Sequence, residues 1–371
     1  MTMPRRPPAF VIPALLPVAL LAAGSLTAQE WKTDFSRHVV PLEEIVPGGP
    51  PRDGIPAIDR PRFVDVRFAD SWIEDTEPVM VIDVGGEVRI YPIQILIWHE
   101  IVNDRIGDLP IAVTFCPLCN TALAFDRRLA GDVLDFGTTG RLRHSDMVMY
   151  DRQTESWWQQ ATGEGIVGQY AGESLEFVPA RMFDWGQTKQ LYPAARVLSR
   201  ETGHERPYGR NPYAGYDRGD APMPGFFEGP ADSRLHAMER VVAVRIGDAA
   251  VAYPFTSLRR ARVANDTVAG DPVVVLWVPG AASALDASTV AGGREVGSTA
   301  VFERRIGGRI LTLEPADIDG RFRDLETGST WALDGRAVAG PLNGEQLRSI
   351  VHGDFFWFAW SVFRPETRVW Q

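Results

Sequence analysis

The sequence predicts an α+β, β-rich fold of two tandem duplicated units, each a mainly antiparallel barrel or sandwich with one main helix. Short apolar runs alternate with glycine turns, as in VMVIDVGGEVRIYP (79–92). The chain also resembles itself at a shift of 162 residues, which aligns 79–123 with 241–285 without a gap. A repeat of this length indicates a duplicated domain rather than a solenoid.

The N-terminus predicts export. Arg5 and Arg6 precede an apolar run and then small residues up to Ala28, which is the layout of a signal peptide. Pro13 and Pro17 interrupt the run, so a membrane-spanning helix is disfavoured. We therefore expect a periplasmic or secreted protein with a signal peptide at 1–28, and membrane contact only through an uncleaved N-terminus. This segment has no cysteine, which excludes a lipoprotein.

The remaining chain divides by its internal similarity. The predicted parts are an N-terminal extension (29–61), repeat unit 1 (62–185), an inter-repeat linker or possible lid (186–236) and repeat unit 2 with a C-terminal aromatic segment (237–371). The linker is rich in Gly, Pro and Tyr and has no periodicity. We expect the aromatic segment FFWFAWSVF (355–363) to seal the core, because it is too short to cross a bilayer.

The elements of each unit follow from local patterns. VMVIDVGGEVRIYP predicts a hairpin around Gly85-Gly86, and PIQILIWHEIVND (92–104) predicts a helix that begins at a proline. LPIAVTF is a short apolar strand, and ALAFDRRLAGDVLDFG is a second hairpin. DRQTESWW (151–158) is predicted as an Asp- and Thr-braced turn that leads into a strand.

Charge narrows the class of partner. The formal net charge is −10 and basic residues are not clustered, so nucleic acid and anionic lipid are poor partners. The composition favours a small molecule, a metal ion or an exported protein partner.

The only two cysteines lie three positions apart in TFCPLCNTA (114–122), in unit 1. The aligned residues of unit 2 are Val278 and Ala281, and Arg262 stands opposite Glu100. Unit 1 therefore holds the thiols and titratable groups, which predicts that it carries the site.

Three interpretations of the cysteines remain open. Two thiolates at this spacing supply half of a tetrahedral metal site. His99, on the preceding helix, and Met149, on a following strand, complete a ligand set with Cys116 and Cys119. Because Cu⁺ accepts sulfur ligands and few of them, copper is expected ahead of zinc.

The second interpretation is thiol–disulfide exchange, in which Cys116 attacks and Cys119 resolves the mixed disulfide. Glu100 is a candidate general base in the catalytic set. The third is a non-enzymatic scaffold with a structural disulfide, which an oxidising compartment favours. Its entropic stabilisation is small because the loop is short.

Four further residues differ between the units and are candidates for lining a pocket that binds a cofactor or small molecule. They are Arg152, Trp157, Gln159 and Gln160.

Several long motifs carry a family resemblance. RIYPIQILIWHEIVND, VTFCPLCNTALAFDR, MVMYDRQTESWWQQATGEGIVG and FFWFAWSVFRPETRVW resemble the DUF3179 family, a domain of unknown function. The resemblance covers most of the chain and implies an exported or membrane-associated bacterial or archaeal protein. It implies no activity.

Overall fold

The fold was taken from a computed structural model that describes residues 31–318 and 320–371. The predicted β-rich α+β class with mainly antiparallel pairing is confirmed, and within these residues no sheet closes into a barrel. Residues Lys32–Gln371 form one compact unit. The predicted signal peptide lies outside the described residues. Across the part of the chain that is described, no helix has the length and apolar character needed to span a membrane.

The elements up to residue 198 are short strands and three helices. The helices are α1 (Val66–Ala69), α2 (Ile93–His99) and α3 (Trp185–Leu191). The strands are β1 (Ile45–Pro47), β2 (Phe63–Asp65), β3 (Pro78–Val84), β4 (Glu87–Pro92), β5 (Ile101–Ile106), β6 (Leu109–Cys116), β7 (Thr121–Asp126), β8 (Arg128–Leu129), β9 (Asp132–Val133), β10 (Phe136–Arg143), β11 (Asp146–Asp151), β12 (Trp157–Gln159), β13 (Glu164–Val167), β14 (Phe177–Val178), β15 (Ala180–Asp184) and β16 (Arg196–Leu198).

The elements after residue 236 begin with the same order of strands and helix as the series that starts at β3. The helices are α4 (Phe255–Ala261) and α5 (Trp357–Ser361). The strands are β17 (Arg240–Ile246), β18 (Ala249–Pro254), β19 (Val263–Val268), β20 (Asp271–Val278), β21 (Ser298–Glu303), β22 (Arg305–Ile306), β23 (Arg309–Ile310), β24 (Leu313–Pro315), β25 (Arg321–Asp324), β26 (Thr330–Ala332), β27 (Ala337–Ala339), β28 (His352–Phe356) and β29 (Arg368–Val369).

The largest sheet draws strands from both predicted repeats. Its order is β19-β20-β21-β15-β3-β4-β16-β2, and Met182 pairs with Thr299 where the two sets meet. The thiol-bearing strand lies in a four-stranded sheet of order β14-β7-β6-β5, and β10 and β11 lie in a sheet of order β1-β10-β11-β12-β13. The two halves therefore share one sheet through the β15–β21 pairing, while the other sheets each draw their strands from one half.

Element bounds recur between the halves. The series β3, β4, α2, β5, β6 recurs as β17, β18, α4, β19, β20, and every bound moves by 162 residues, as from Pro78 to Arg240. The Tyr91 hydroxyl donates to Asp104, and the Tyr253 hydroxyl donates to Asp266. This correspondence supports duplication, which stays a prediction, as does the division into domains.

The predicted braced turn is present twice. The Trp158 indole N–H donates to Asp151 Oδ2 over 3.0 Å, and the Trp331 indole N–H donates to Asp324 Oδ2 over 2.8 Å. Thr154 and Thr327 donate to the same two carboxylates. Buried carboxylates are thus satisfied by turn residues, as the shared sequence pattern indicated.

Two details differ from the sequence expectations. The helix that begins after Pro92 ends at His99, because Glu100 takes a left-handed conformation with φ 59° and the β-branched residues after it enter β5. All of strand β16 and all but the first residue of helix α3 also fall within the range predicted as linker (186–236), and β16 pairs in parallel with β4.

The C-terminal aromatic segment lies in the core. It spans the end of β28 and helix α5, and the side chains of Phe356 and Trp357 are fully buried. Cys116 and Cys119 belong to the same large hydrophobic cluster as both residues. The core therefore surrounds the thiols with apolar side chains.

Candidate metal centre

The two cysteines lie in a tight connection between paired strands. Strand β6 ends at Cys116, residues Pro117–Cys119 form one 3₁₀ turn, and Asn120 takes a left-handed conformation with φ 53° before β7 begins. Proline suits the first helical position and asparagine tolerates positive φ, so the sequence CPLCN encodes the turn. This turn brings both sulfur atoms to the same end of the β6–β7 hairpin.

Both cysteines are free thiols, so the disulfide of the third interpretation is absent from the structure. Their side chains are 2% and 0% exposed. The Asp146 carboxylate joins them, and the two sulfurs and a carboxylate oxygen all lie within 4.8 Å of one another. Among the described residues this is the group of His, Cys, Asp and Glu side chains close enough to share a metal ion.

Sequence reasoning missed Asp146. Its position follows from the β10–β11 hairpin, in which Arg143 pairs with Asp146 across a two-residue turn of His144 and Ser145, both with positive φ. This is the type I′ geometry that fits the twist of paired strands. The turn contains neither the Asn nor the Gly that usually marks this geometry, so a hairpin there was difficult to predict from the local residues.

The Asp146 carboxylate is held on one side and open on the other. Oδ2 accepts hydrogen bonds from Gln159 Nε2 over 2.6 Å and from the Ala161 amide over 2.8 Å. Oδ1 is buried and has no hydrogen bond of regular geometry among the described residues, although hydrogen bonding from the Cys116 and Cys119 thiols acts on the carboxylate and lowers its pKa. Burial raises the pKa of Asp146 to about 6, against the opposing hydrogen bond from Ala161. The orientation of the carboxylate is therefore fixed while one oxygen stays available.

Glu100 adds a second buried carboxyl beside this group. Its side chain is 7% exposed and finds no hydrogen-bond partner in the described part of the chain. Burial, reinforced by the charge of Asp146, raises the pKa of Glu100 to about 8. The predicted general base thus lies within electrostatic reach of the thiols and is protonated at neutral pH.

The same burial and the same negative charge act on the two thiols. Burial raises the pKa of Cys116 and of Cys119, and the charge of Asp146 raises both further. Among the described residues, no arginine or lysine forms a hydrogen bond with either thiol or with the Asp146 and Glu100 carboxyls. Four acidic groups therefore share one apolar interior without a compensating cation, which is an unfavourable arrangement when they ionise.

His99 is buried but already engaged. Its Nδ1 lies 2.7 Å from the Pro56 carbonyl oxygen and its Nε2 lies 2.7 Å from the Tyr208 hydroxyl. Burial lowers its pKa to about 4. The structure does not bring His99 into the Cys116–Cys119–Asp146 group, and its role as a ligand stays a prediction that requires both hydrogen bonds to be replaced.

Met149 lies in β11, Gln159 lies in the neighbouring strand β12, and Gln160 directly follows β12. Met149 is fully buried in β11, three positions from Asp146, so regular strand alternation places the two side chains on opposite faces. Gln159 holds Asp146, and Gln160 Nε2 donates to the Thr114 hydroxyl over 2.9 Å. Gln159 is therefore a supporting residue for the carboxylate, and Gln160 braces the β6 strand.

The two remaining candidates have partners elsewhere. Arg152 forms ion pairs with Asp59 and Asp53. The Trp157 ring contacts Phe35 edge to face with centroids 5.1 Å apart. Neither contact involves the cysteines, so their role in pocket binding remains a prediction.

Part of the predicted linker covers the thiols. The Tyr216 hydroxyl donates to the Leu118 carbonyl over 2.9 Å, and the Ser145 amide donates to the Phe226 carbonyl over 2.6 Å. The Asn120 side chain accepts from buried Arg240, which also pairs with Asp217 of the same segment. The segment is thus bonded to both loops that supply the candidate ligands.

Comparison with known proteins gives a family match over most of the chain. Residues 52–367 match the family model described as "Protein of unknown function (DUF3179)". No curated protein and no solved structure matches the chain.

Proposed function

Because the chain belongs to the DUF3179 family, whose function is unknown, we propose from its own site that it is a metal-binding protein in which Cys116, Cys119 and Asp146 hold a thiophilic ion. The observation that carries this proposal is the burial of these three groups within 4.8 Å of one another, with no regular hydrogen bond to Asp146 Oδ1 among the described residues. A cation would compensate the charge that ionisation creates there.

Donor chemistry narrows the choice of metal. Zn²⁺ binds cysteine sulfur and carboxylate oxygen in tetrahedral sites, whereas Cu⁺ prefers sulfur and imidazole. The third donor is an oxygen from Asp146, in place of the predicted His99 and Met149 ligands. We therefore favour Zn²⁺. The Cu⁺ expected from the sequence is the alternative metal, and the titration described below tests both ions.

Three protein ligands leave a fourth coordination position, as in metal sites that bind water or exchange a ligand. Glu100 lies within electrostatic reach of them with a pKa of about 8, so it is protonated at neutral pH and can accept a proton from the site only above about pH 8. A supporting hydrogen bond from Gln159 fixes Asp146, which is the usual arrangement around a metal-binding carboxylate.

Thiol–disulfide exchange is supported less well. An attacking cysteine needs exposure and a stabilised thiolate, while both thiols here are buried and have a raised pKa. Export to the periplasm or exterior, indicated by residues 1–28, remains part of the proposal.

Metal titration of the reduced, chelator-treated protein under anaerobic conditions tests the proposal. We expect one Zn²⁺ per chain, and at least about tenfold weaker binding in Cys116→Ser, Cys119→Ser and Asp146→Asn. His99→Gln and Met149→Leu serve as matched controls that leave Zn²⁺ binding intact. The proposal is wrong if the wild-type protein does not bind Zn²⁺. If it binds Cu⁺ instead, and both His99→Gln and Met149→Leu lose that binding, the site is the copper site predicted from the sequence.

A further inference from the structure

A separate cleft of about 360 Å³ lies between residues of the two halves of the chain. Its apolar wall consists of Leu123, Ala161, Phe177, Ala243, Phe355 and Trp360. This volume is in the range of small-molecule sites, which are mostly apolar with a few polar groups.

Two arginines give the cleft its charge. Arg245 and Arg364 line it, and neither forms an ion pair with a carboxylate of the described residues. Arg245 donates to the Gly247 carbonyl over 2.9 Å and Arg364 donates to the Phe363 carbonyl over 2.8 Å, so each guanidinium keeps other N–H groups free of these contacts. Both carry their positive charge at the rim of an apolar surface.

The electrostatic environment favours an anion there. Burial lowers the pKa of Arg364, and the charge of Arg245 lowers it further, while the charge of Glu164 raises it. Two guanidinium groups that repel each other beside an apolar wall are stabilised by a shared anionic ligand, because charge-assisted hydrogen bonds to a carboxylate are strong.

His352 and Thr162 are the uncharged polar residues that line the cleft, and His352 is the one with a ring nitrogen. Its Nδ1 contacts the Ile350 carbonyl, and its buried Nε2 has no partner among the described residues. Burial lowers its pKa to about 4, so the ring is neutral near pH 7. The attraction for an anion therefore comes from the arginines alone.

We propose that this cleft binds an amphipathic organic anion, with its carboxylate on Arg245 and Arg364 and its apolar body against Phe355 and Trp360. The proposal is independent of the metal. The cleft nevertheless adjoins the proposed centre, because Ala161 lines it and donates its amide hydrogen to Asp146.

Calorimetric titration of the full protein with octanoate tests the proposal. We expect octanoate to bind at millimolar concentration or below, whereas acetate, which lacks the tail, and octanamide, which lacks the charge, do not. Arg245→Gln and Arg364→Gln each weaken octanoate binding by about tenfold. Arg260→Gln, which removes the same charge from the exposed surface of α4, leaves binding unchanged.

Two results would overturn the proposal. One is a wild-type protein that does not bind octanoate at millimolar concentration. The other is equal weakening by Arg260→Gln and the two cleft variants, which would assign the effect to overall charge. Zn²⁺ titration of the same variants gives a separate readout, because the cleft arginines are expected to leave metal binding intact.

Discussion

Glu100 shows at the residue scale how burial governs the centre. The corresponding residue in the second half is Arg262, which takes the same left-handed conformation with φ 64°. Both follow a short helix and both donate their amide hydrogen to a leucine carbonyl of that helix. The backbone position is thus shared, while the carboxyl is specific to the half that carries the thiols.

We predict that Glu100→Gln stabilises the metal-free protein at pH 8 but has little effect near pH 4. The folded-state pKa of about 8 lies above the ordinary value of 4.5, so the carboxyl favours folding while it is protonated, and this contribution is lost as the pH rises towards 8. The expected gain in the free energy of unfolding at pH 8 is on the order of 3 kcal/mol. Denaturant unfolding at both pH values measures it.

The exposed Glu43→Gln variant is the control for that measurement. A free-energy difference for Glu100→Gln that does not grow between pH 4 and pH 8 contradicts a buried, protonated carboxyl. The residue could be singled out from the sequence because it differs between the halves. The burial of Glu100 could not be predicted from the sequence, since it depends on segments that are remote in the chain.

At the scale of elements, the geometry of one turn and one hairpin determines which side chains meet at the candidate site. The CPLC turn could be recognised directly, because both sulfurs lie within four residues. Asp146 could not, because it reaches them through pairing of β10 with β11 and not through sequence spacing. The predicted ligands His99 and Met149 were chosen by residue type on neighbouring elements, which fixes neither the orientation of a side chain nor its existing hydrogen bonds.

We predict that Ser145→Gly stabilises the protein by about 1 kcal/mol. Ser145 has φ 67°, and its buried hydroxyl has no partner in the described residues, so glycine relieves an unfavourable backbone conformation and an unsatisfied polar group. Thermal unfolding measures the change.

Gly86→Ala in the β3–β4 hairpin is the control with the opposite expected effect. Gly86 has φ 89° and no atom lies near the position of an added Cβ, so alanine there strains the backbone without a clash. It should lower the melting temperature. A fall in stability for Ser145→Gly would show that the serine hydroxyl has a role that its lack of partners does not indicate.

The two halves form one folding unit at the scale of the whole molecule. The sequence repeat predicted matching elements, and the bounds of those elements agree over long stretches. Sequence similarity could not reveal that β15 joins β21 in a shared sheet, because pairing between strands of different halves leaves the apolar pattern of each half unchanged.

We therefore expect a single cooperative thermal transition, since the two halves share the eight-stranded sheet and one large hydrophobic cluster. Differential scanning calorimetry of the full chain measures this, and a calorimetric enthalpy equal to the van't Hoff enthalpy is the predicted result. Two resolved transitions, assignable to the halves by Asp151→Ala and Asp324→Ala, would contradict it.

X-ray absorption spectroscopy of the Zn²⁺-loaded protein tests the central claim most directly. We predict a first shell with two sulfur atoms at about 2.3 Å and oxygen or nitrogen atoms at about 2.0–2.2 Å. In Asp146→Asn the two sulfur atoms should remain while the oxygen shell changes. A first shell without sulfur, or one unaffected by Asp146→Asn, would contradict a centre formed by Cys116, Cys119 and Asp146.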